Sequence, residues 1–89
     1  MGTLLMTTTG ETFEIKGRGS VPMPGVHWEL PVSLRVGQVV ELRRTDGTRT
    51  QAMIRGIEYL TPNPKRVTPL LFGLPKSDFP TGTEIWPLD

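Results

Sequence analysis

The stretch FEIKGRGSV, residues 13–21, decides the fold of this chain. It places Gly17 and Gly19 on either side of a single arginine, Arg18, between two short apolar runs. Glycine accepts backbone conformations that other residues avoid, and a glycine within a strand pattern is typical of a bend or a close backbone contact. The stretch therefore predicts a kinked strand that crosses the corner of a small β-barrel, with Gly17, Arg18 and Gly19 as structural residues of that corner.

Glycine and proline continue this pattern along the whole chain. The 89 residues include 10 Gly and 9 Pro, which separate short apolar runs and interrupt almost every window long enough for a helix. We therefore predict one all-β domain over residues 1–89, a small closed barrel of six or seven strands, because closure leaves few free strand edges. The predicted strands are residues 4–8, 13–16, 18–23, 38–44, 50–60, 68–72 and 83–86.

The hairpin around Asp46-Gly47 admits two registers. An Asp-Gly pair is typical of a two-residue turn, which would place Val40 opposite Met53. A three-residue loop, residues 45–47, places Val40 opposite Ala52 instead and gathers the apolar residues of both strands on one face. We favour the three-residue loop, with its glycine in the left-handed position of a β-bulge.

A second irregularity is predicted in the strand 50–60. Its apolar alternation changes phase after Ile54 and resumes at Ile57, and Gly56 lies at the skip. A β-bulge at Gly56 explains the change and would bend the strand around a barrel corner. Turns with positive φ are predicted at the glycines that end or precede other strands, Gly37, Gly73 and Gly82. The core candidates are Phe13, Ile15, Val40, Leu42, Ile54, Leu70, Phe72 and Trp86.

Charge and composition narrow the possible functions. Lys plus Arg is 10 and Asp plus Glu is 9, so the net charge is +1. This charge does not by itself indicate a nucleic-acid binder, but it is compatible with a local basic patch. The absence of cysteine excludes disulfides, thiolate metal sites and thiol nucleophiles, and is typical of a cytoplasmic protein. No apolar run approaches the roughly 20 residues that span a bilayer, so no membrane association is expected. A start at Met1 and an end just past the last predicted strand favour a whole small protein.

Three later segments share their order and spacing with a known family. They are LRVGQVVEL at residues 34–42, RGIE at 55–58 and LLFG at 70–73. Together with residues 13–21 and Gly82 they resemble domain II of the translational GTPases, the β-barrel that follows the nucleotide domain in elongation factor Tu. The resemblance covers about residues 12–87. It implies a barrel of the translation-protein type.

The resemblance also implies a setting in translation, because this barrel contacts the small ribosomal subunit or tRNA in that family. The phosphate loop Gly-x-x-x-x-Gly-Lys-Ser/Thr of the GTPase domain is absent from the sequence, so no nucleotide binding and no cofactor are expected. Phe72 stands where elongation factor Tu carries an arginine near the pocket for the aminoacyl end of tRNA. The resemblance therefore does not extend to recognition of aminoacyl-tRNA.

No group of residues indicates catalysis. His27 is the only histidine, and a catalytic histidine needs a nucleophile and an orienting group close to it. Glu29 is two residues away, but the sequence brings no further partner to this place. A metal site needs several spaced ligands, and no such cluster of His or Cys exists. We therefore predict that the chain is not an enzyme and holds no metal.

Two sets of residues are candidates for binding a partner. The first is a basic patch that would contact RNA phosphates, or else an ordinary solvated face in which Glu41 and Glu58 alternate with the cations. Its members are Arg43, Arg44, Arg49, Arg55, Lys65 and Arg66. The second is the loop carrying His27 and Trp28, in which the tryptophan either anchors a protein partner or caps the barrel core.

These expectations together describe a stand-alone, non-catalytic binding module. We expect it to dock on a translation-related protein or RNA partner, possibly linked to the ribosome or tRNA. The alternative is a regulatory or neutralising protein-interaction module that mimics domain II. The sequence leaves open the identity of the partner, the choice between RNA and protein, and the oligomeric state, because fold does not fix function.

Overall fold

The computed structural model describes residues 4–59 and 62–88. This part of the chain is all-β, with nine strands and one short 3₁₀ helix, Lys76–Asp78. None of its helical segments has the length and apolar character needed to cross a membrane. The strands are β1 (Thr7–Thr8), β2 (Thr12–Ile15), β3 (Gly19–Pro22), β4 (Val26–His27), β5 (Val39–Arg43), β6 (Arg49–Ile57), β7 (Val67–Thr68), β8 (Leu70–Phe72) and β9 (Glu84–Pro87).

Seven strands form one curled antiparallel sheet, in the order β1-β9-β5-β6-β8-β3-β2, and β4 pairs with β7 in a separate two-stranded sheet. The prediction of a closed barrel is wrong, because the sheet is a half-barrel whose edge strands β1 and β2 do not pair with each other. These two edges are consecutive in the chain. In the short link between them, Thr9 donates to Thr83 while Gly10 donates to Met23, both at 2.7 Å. This link therefore bonds to segments beside both edges of the sheet. The two edges are connected by the chain itself and not by strand pairing.

The seven predicted strands agree in number and order with the strands of the large sheet, which is one of two sheets. Each of the seven predicted strands overlaps one of the strands of the large sheet. The small sheet was not predicted, since β4 has only two residues and lies in a segment interrupted by proline. Leu60, the last residue of the predicted strand 50–60, lies outside the described residues.

The predicted three-residue hairpin loop is confirmed. Val40 lies opposite Ala52 and Leu42 opposite Thr50, as the apolar pattern requires. Arg44 donates to the carbonyl of Thr48 at 2.9 Å, which leaves residues 45–47 as the loop. The predicted bulge in β6 is confirmed as well, because the pairing with β8 shifts register between Ile54 and Gly56.

The core lies on the concave face of the sheet. Val40, Leu42, Ile54, Leu70 and Phe72 are buried, as predicted. The rings of Phe72 and Phe79 pack with centroids 5.3 Å apart. Burying each large apolar side chain contributes about 1.5–3 kcal/mol. The cluster also contains Ala52, which the hairpin register placed on the same apolar face. Its remaining members, which the sequence did not indicate, are Met6, Val26, Phe79 and Ile85.

Three predicted core residues are wrong. Ile15 is only partly buried and lines a surface groove. Trp86 is only partly buried because Ile85 pairs with Leu42 on the inner face, which turns Trp86 outward beside Glu41. Phe13 is 52% exposed. Its neighbour Thr12 takes the inner face, where its hydroxyl donates to the carbonyl of Phe79 at 3.1 Å. Successive side chains of a strand point to opposite faces, so one of each adjacent pair must face outward.

Candidate functional site

A basic groove forms beside the hairpin that joins β2 to β3. Ile15 pairs with Gly19, and Arg18 donates to the carbonyl of Ile15 at 2.9 Å. The hairpin therefore has a three-residue tip, Lys16-Gly17-Arg18. Gly17 takes a φ of +78° there. Both cationic side chains of the tip are exposed.

Arg55 reaches the same groove from β6. Ile54 pairs with Phe72 and Gly56 with Leu71, so Arg55 is the extra residue of the β-bulge. A bulge redirects the side chain that it carries. The side chain of Arg55 lies over Gly73, where an added Cβ would come 2.6 Å from the Arg55 Nε. The bulge and the bare backbone of Gly73 together direct this arginine across the groove.

The walls of the groove are tied together below the charged residues. The hydroxyl of Ser20 on β3 donates to the carbonyl of Leu74 at 2.8 Å, and Ser20 is fully buried. The groove that results has a volume of about 730 Å³ and is open to solvent. Its remaining lining comes from Glu14, Ile15 and the segment after β8, up to Pro75.

The groove carries an excess of positive charge. Lys16, Arg18 and Arg55 line it with a single carboxylate, that of Glu14. The ion pairs found among residues 4–59 and 62–88 all involve other cations, Arg43, Arg44 and Arg49. Within the described part of the chain the three groove cations have no ionic partner, which leaves them available to an anion from outside. Guanidinium and ammonium groups so arranged suit the oxygens of phosphates.

The residues predicted as one basic patch are divided among separate places. Arg43 and Arg49 both contact Oε1 of Glu41, at 2.6 and 3.7 Å. The guanidinium of Arg43 also lies over the ring of Trp86, 4.5 Å from its centroid. Arg55 lies six residues beyond Arg49 on the same strand, which is about 20 Å in extended backbone. Arg55 is therefore well separated from Arg43 and Arg49 along the sheet.

Arg44 has an internal role. Its Nε donates to the carbonyl of Asp78 at 3.0 Å, and its Nη2 lies 3.4 Å from the Asp78 carboxylate. A further hydrogen bond of 2.9 Å joins Nη1 to the hydroxyl of Thr50. The side chain is only 11% exposed. Arg44 thus ties the 3₁₀ helix to the hairpin of β5 and β6, and its donors are used within the fold.

Lys65 and Arg66, the last members of the predicted patch, lie beside the loop of His27 and Trp28. The backbone N–H of Trp28 donates to the carbonyl of Arg66 at 2.9 Å. Trp28 is 57% exposed, so it does not cap the core. Its indole N–H donates to the hydroxyl of Thr68 at 3.1 Å. The structure therefore favours the interpretation of Trp28 as a surface residue.

His27 has a structural contact and no catalytic one among the residues described. Its Nδ1 accepts a hydrogen bond from the backbone N–H of Glu29 at 3.2 Å. No group of three His, Asp or Glu side chains within residues 4–59 and 62–88 is arranged to hold a metal ion. The arrangement of this loop therefore offers contact surface, and no nucleophile and base lie together in it.

The glycines predicted as structural have four different roles. Gly19 has a φ of +136° and faces the backbone of Phe72. Gly82 has positive φ, at +93°, and Gly56 lies at the bulge. Gly73 is not among the described glycines with positive φ, so that prediction is wrong. Its lack of a side chain instead makes room for Arg55.

The sequence did not indicate the groove itself. Arg18 was predicted as a structural residue of the corner and Lys16 as the end of a strand, whereas the structure places both at an exposed hairpin tip. The pattern FEIK followed by Gly fits a strand that includes Lys16 and also a strand that ends at Ile15. The two possibilities differ by only one residue in strand length. Arg55 could be associated with them only through the pairing of β6 with β8 and of β8 with β3.

No protein-family model matches this chain, and no curated protein and no solved structure matches it significantly.

Proposed function

We propose that this chain is a non-catalytic RNA-binding module that holds the RNA backbone in the groove of Lys16, Arg18 and Arg55. The observation that carries the proposal is the convergence of three cations from two separate parts of the sheet, none of them in an ion pair within residues 4–59 and 62–88. Phosphate contacts supply most of the affinity of sequence-independent RNA binding. A net charge of only +1 makes such a local concentration of cations the relevant feature.

The order of the glycine and apolar segments, which resembles domain II of elongation factor Tu, supports translation in the cytoplasm as the setting. Ribosomal RNA and tRNA are then the partners of first choice. Phe72, which stands where that family has an arginine near the aminoacyl pocket, is fully buried in the core. The proposal therefore concerns the RNA backbone and leaves out the aminoacyl group.

The test is RNA affinity as a function of salt, measured by fluorescence anisotropy with a labelled single-stranded RNA. The variant Lys16→Gln/Arg18→Gln/Arg55→Gln removes the groove cations. The matched control, Arg35→Gln/Arg43→Gln/Arg49→Gln, removes the same charge from elsewhere on the surface. The logarithm of the association constant falls linearly with the logarithm of the salt concentration. Each phosphate contact that is lost makes this slope less steep by about 0.7 for single strands. We expect the slope of the groove variant to be less steep by about 2.

The control variant is expected to keep most of the slope of the original protein. Equal affinity and equal slope for the groove variant and the original protein would contradict the proposal. A loss of the same size in both triple variants would also contradict it, because the effect would then follow net charge and not the groove.

The exposed ring of Trp28 favours a second candidate function, a regulatory module that binds one protein partner and mimics domain II. Tryptophan is enriched at the centres of protein interfaces. This candidate predicts a stoichiometric protein complex that survives high salt. It also predicts that Trp28→Ala weakens that complex, whereas the triple change in the groove leaves it intact.

A further inference from the structure

We infer that Trp28, flanked by Lys65 and Arg66, is a base-stacking site for single-stranded RNA, in addition to the groove. The inference rests on the proposed RNA-binding function and specifies it, since it assigns the class of RNA. Three properties of this loop carry it: a fixed aromatic ring, two adjacent cations and a constrained backbone.

The ring of Trp28 is held at its polar edge and open elsewhere. Its indole N–H donates to the hydroxyl of Thr68, a residue that is only 7% exposed, yet 57% of Trp28 remains exposed. The indole is therefore anchored by a hydrogen bond within the protein, and more than half of the residue's surface is still open to a flat partner. A nucleobase offers such a surface, and stacking does not depend on which base it is.

Trp86, the other tryptophan, is less available for stacking than Trp28. The guanidinium of Arg43 covers its ring at 4.5 Å, and its indole N–H donates to the carboxylate of Glu84 at 2.9 Å. One face of this ring is already used by an internal cation–π contact. Trp28 has no such partner among the described residues, where the Arg43–Trp86 contact is the one cation–π pair.

The backbone places Arg66 opposite Trp28, and Lys65 is the residue before it. His27 pairs with Val67, and Trp28 donates to the carbonyl of Arg66. Neither Lys65 nor Arg66 takes part in an ion pair within residues 4–59 and 62–88. A single strand presents bases and phosphates in alternation, so an aromatic ring next to free cations meets both of its chemical groups.

The backbone of Arg66 is constrained in an unusual conformation. Arg66 has a φ of +53° and is the one described residue other than glycine with positive φ. This conformation costs a non-glycine residue roughly 1–2 kcal/mol. The side chain of Asn63 bonds both the N–H and the carbonyl of Val67, and the N–H of Arg66 donates to the Asn63 carbonyl at 3.2 Å. Such local strain is most common at binding sites.

A single strand is the form of RNA that fits this loop. In a duplex the bases are stacked on one another, and their faces are closed to a protein side chain. A protein partner would use the apolar ring but would need acidic groups opposite Lys65 and Arg66. RNA supplies the negative charge and the flat surface together.

The experiment compares an oligouridylate with an RNA duplex of the same length. About 12 nucleotides at a rise of about 3.4 Å reach across the 37 Å longest extent of the molecule. Affinity is measured for the original protein and for Trp28→Ala, Trp28→Phe and the groove triple variant. Quenching of tryptophan fluorescence is recorded in a Trp86→Phe background, in which Trp28 is the only indole.

We expect the oligouridylate to bind more tightly than the duplex and to quench Trp28. Trp28→Ala should weaken oligouridylate binding by about 5- to 150-fold, the range that one stacked base contributes. Trp28→Phe should restore most of the loss because it keeps a ring. Duplex binding should be nearly unchanged in Trp28→Ala and reduced in the groove variant.

Three results would overturn the inference, and they are distinguishable. If both RNAs bind and the groove variant weakens them, but Trp28→Ala has no effect and no quenching occurs, the RNA function stands and the stacking site is wrong. If neither RNA binds the original protein, the proposed function fails and the inference fails with it. Tight salt-resistant binding of a purified protein that needs Trp28, without RNA binding, would assign the loop to a protein partner.

Discussion

Gly19 lies so close to Phe72 that their backbones are in direct contact. A Cβ on Gly19 would overlap the carbonyl oxygen of Phe72 and would lie 2.9 Å from its carbonyl carbon. Ser20, the next residue, pairs with Phe72 where β3 joins β8. This contact lies where β3 and β8 join beside the groove. The groove therefore depends on a residue without a side chain at position 19.

The variant Gly19→Ala should therefore be severely destabilised. We expect a loss of about 3 kcal/mol or more in the free energy of unfolding, because neither backbone can move away without breaking the pairing of β3 with β8. The matched control is Gly17→Ala, which has positive φ but open space around it and should lose only about 1–2 kcal/mol. Urea denaturation measures both. Equal losses in the two variants would show that the close contact has no effect.

The last strand provides a test of which face is buried. Ile85 is fully buried, whereas Trp86 lies on the outer face against Arg43. We expect Ile85→Ala to lower the free energy of unfolding by about 3 kcal/mol and Trp86→Ala by about half of that. Thermal and urea unfolding of the two variants measure the difference. A larger loss for Trp86→Ala would reverse the assigned orientation of β9.

Arg44 should matter for stability although it is an arginine near the surface. Removing its side chain in Arg44→Ala leaves the carbonyl and carboxylate of Asp78 without their donors, and we expect a loss of about 2 kcal/mol. The control is Arg49→Ala. Arg49 is largely exposed, with a single ion pair of 3.7 Å, and should change stability by less than about 0.5 kcal/mol. Similar values for both would refute the structural role of Arg44.

Gly73 should affect binding more than stability. An added methyl group in Gly73→Ala would meet the Nε of Arg55 at 2.6 Å and displace that side chain. Since a flexible side chain can move, we expect the free energy of unfolding to fall by less than about 1 kcal/mol. RNA affinity should fall about as far as in Arg55→Gln, and combining the two changes should add little, because both act through one guanidinium. Additive losses would indicate independent effects.

The hairpin loop gives a prediction about pH. A hydrogen bond from the Thr48 hydroxyl, followed by one from the Thr48 backbone N–H and by the charge of Arg44, holds the pKa of the Asp46 carboxyl below its ordinary value of 3.8. The carboxylate contacts these two donors at 2.7 and 2.9 Å. Because the pKa is lowered by folding, the stabilisation is present above pH 3.8 and is lost as the pH falls through the lowered value.

The pKa of Asp46 can be measured by NMR titration. We expect it to rise toward 3.8 in Thr48→Val, which removes the hydroxyl but keeps the shape of the side chain. Thr48→Ser keeps the hydroxyl and should retain the lowered pKa. If the valine and serine variants titrate together, the hydroxyl is not the main cause.

Local sequence patterns predicted the structure correctly where only one arrangement of the backbone satisfied them. The apolar residues of β5 and β6 share a face only with a three-residue loop, and the structure has that loop. The phase change at Gly56 likewise has one simple explanation, the bulge that is observed. Where two apolar residues are adjacent, as at Ile85-Trp86, a period of two gives no choice between them, and the prediction was wrong.

The predictions about function needed distances that a linear pattern does not contain. Arg43, Arg44 and Arg55 lie on neighbouring strands, which suggested one basic patch. The structure gives the first to Glu41 and Trp86, the second to Asp78 and the third to the groove. Which cation forms an ion pair depends on where the carboxylates lie in space. Asp78 is 34 residues from Arg44 in sequence, and no local pattern indicates their contact.

The sequence by itself determined that this protein is all-β, the order of its main strands, the hairpin loop at residues 45–47 and the bulge in β6. These features depend on alternation and on glycine, which act over a few residues. Only the tertiary structure decided that the sheet stays open at β1 and β2, that Ile85 is buried in place of Trp86, and that Arg18 and Arg55 line one groove. Each of these depends on contacts between segments remote in sequence, whose packing selects among arrangements that the local pattern allows equally.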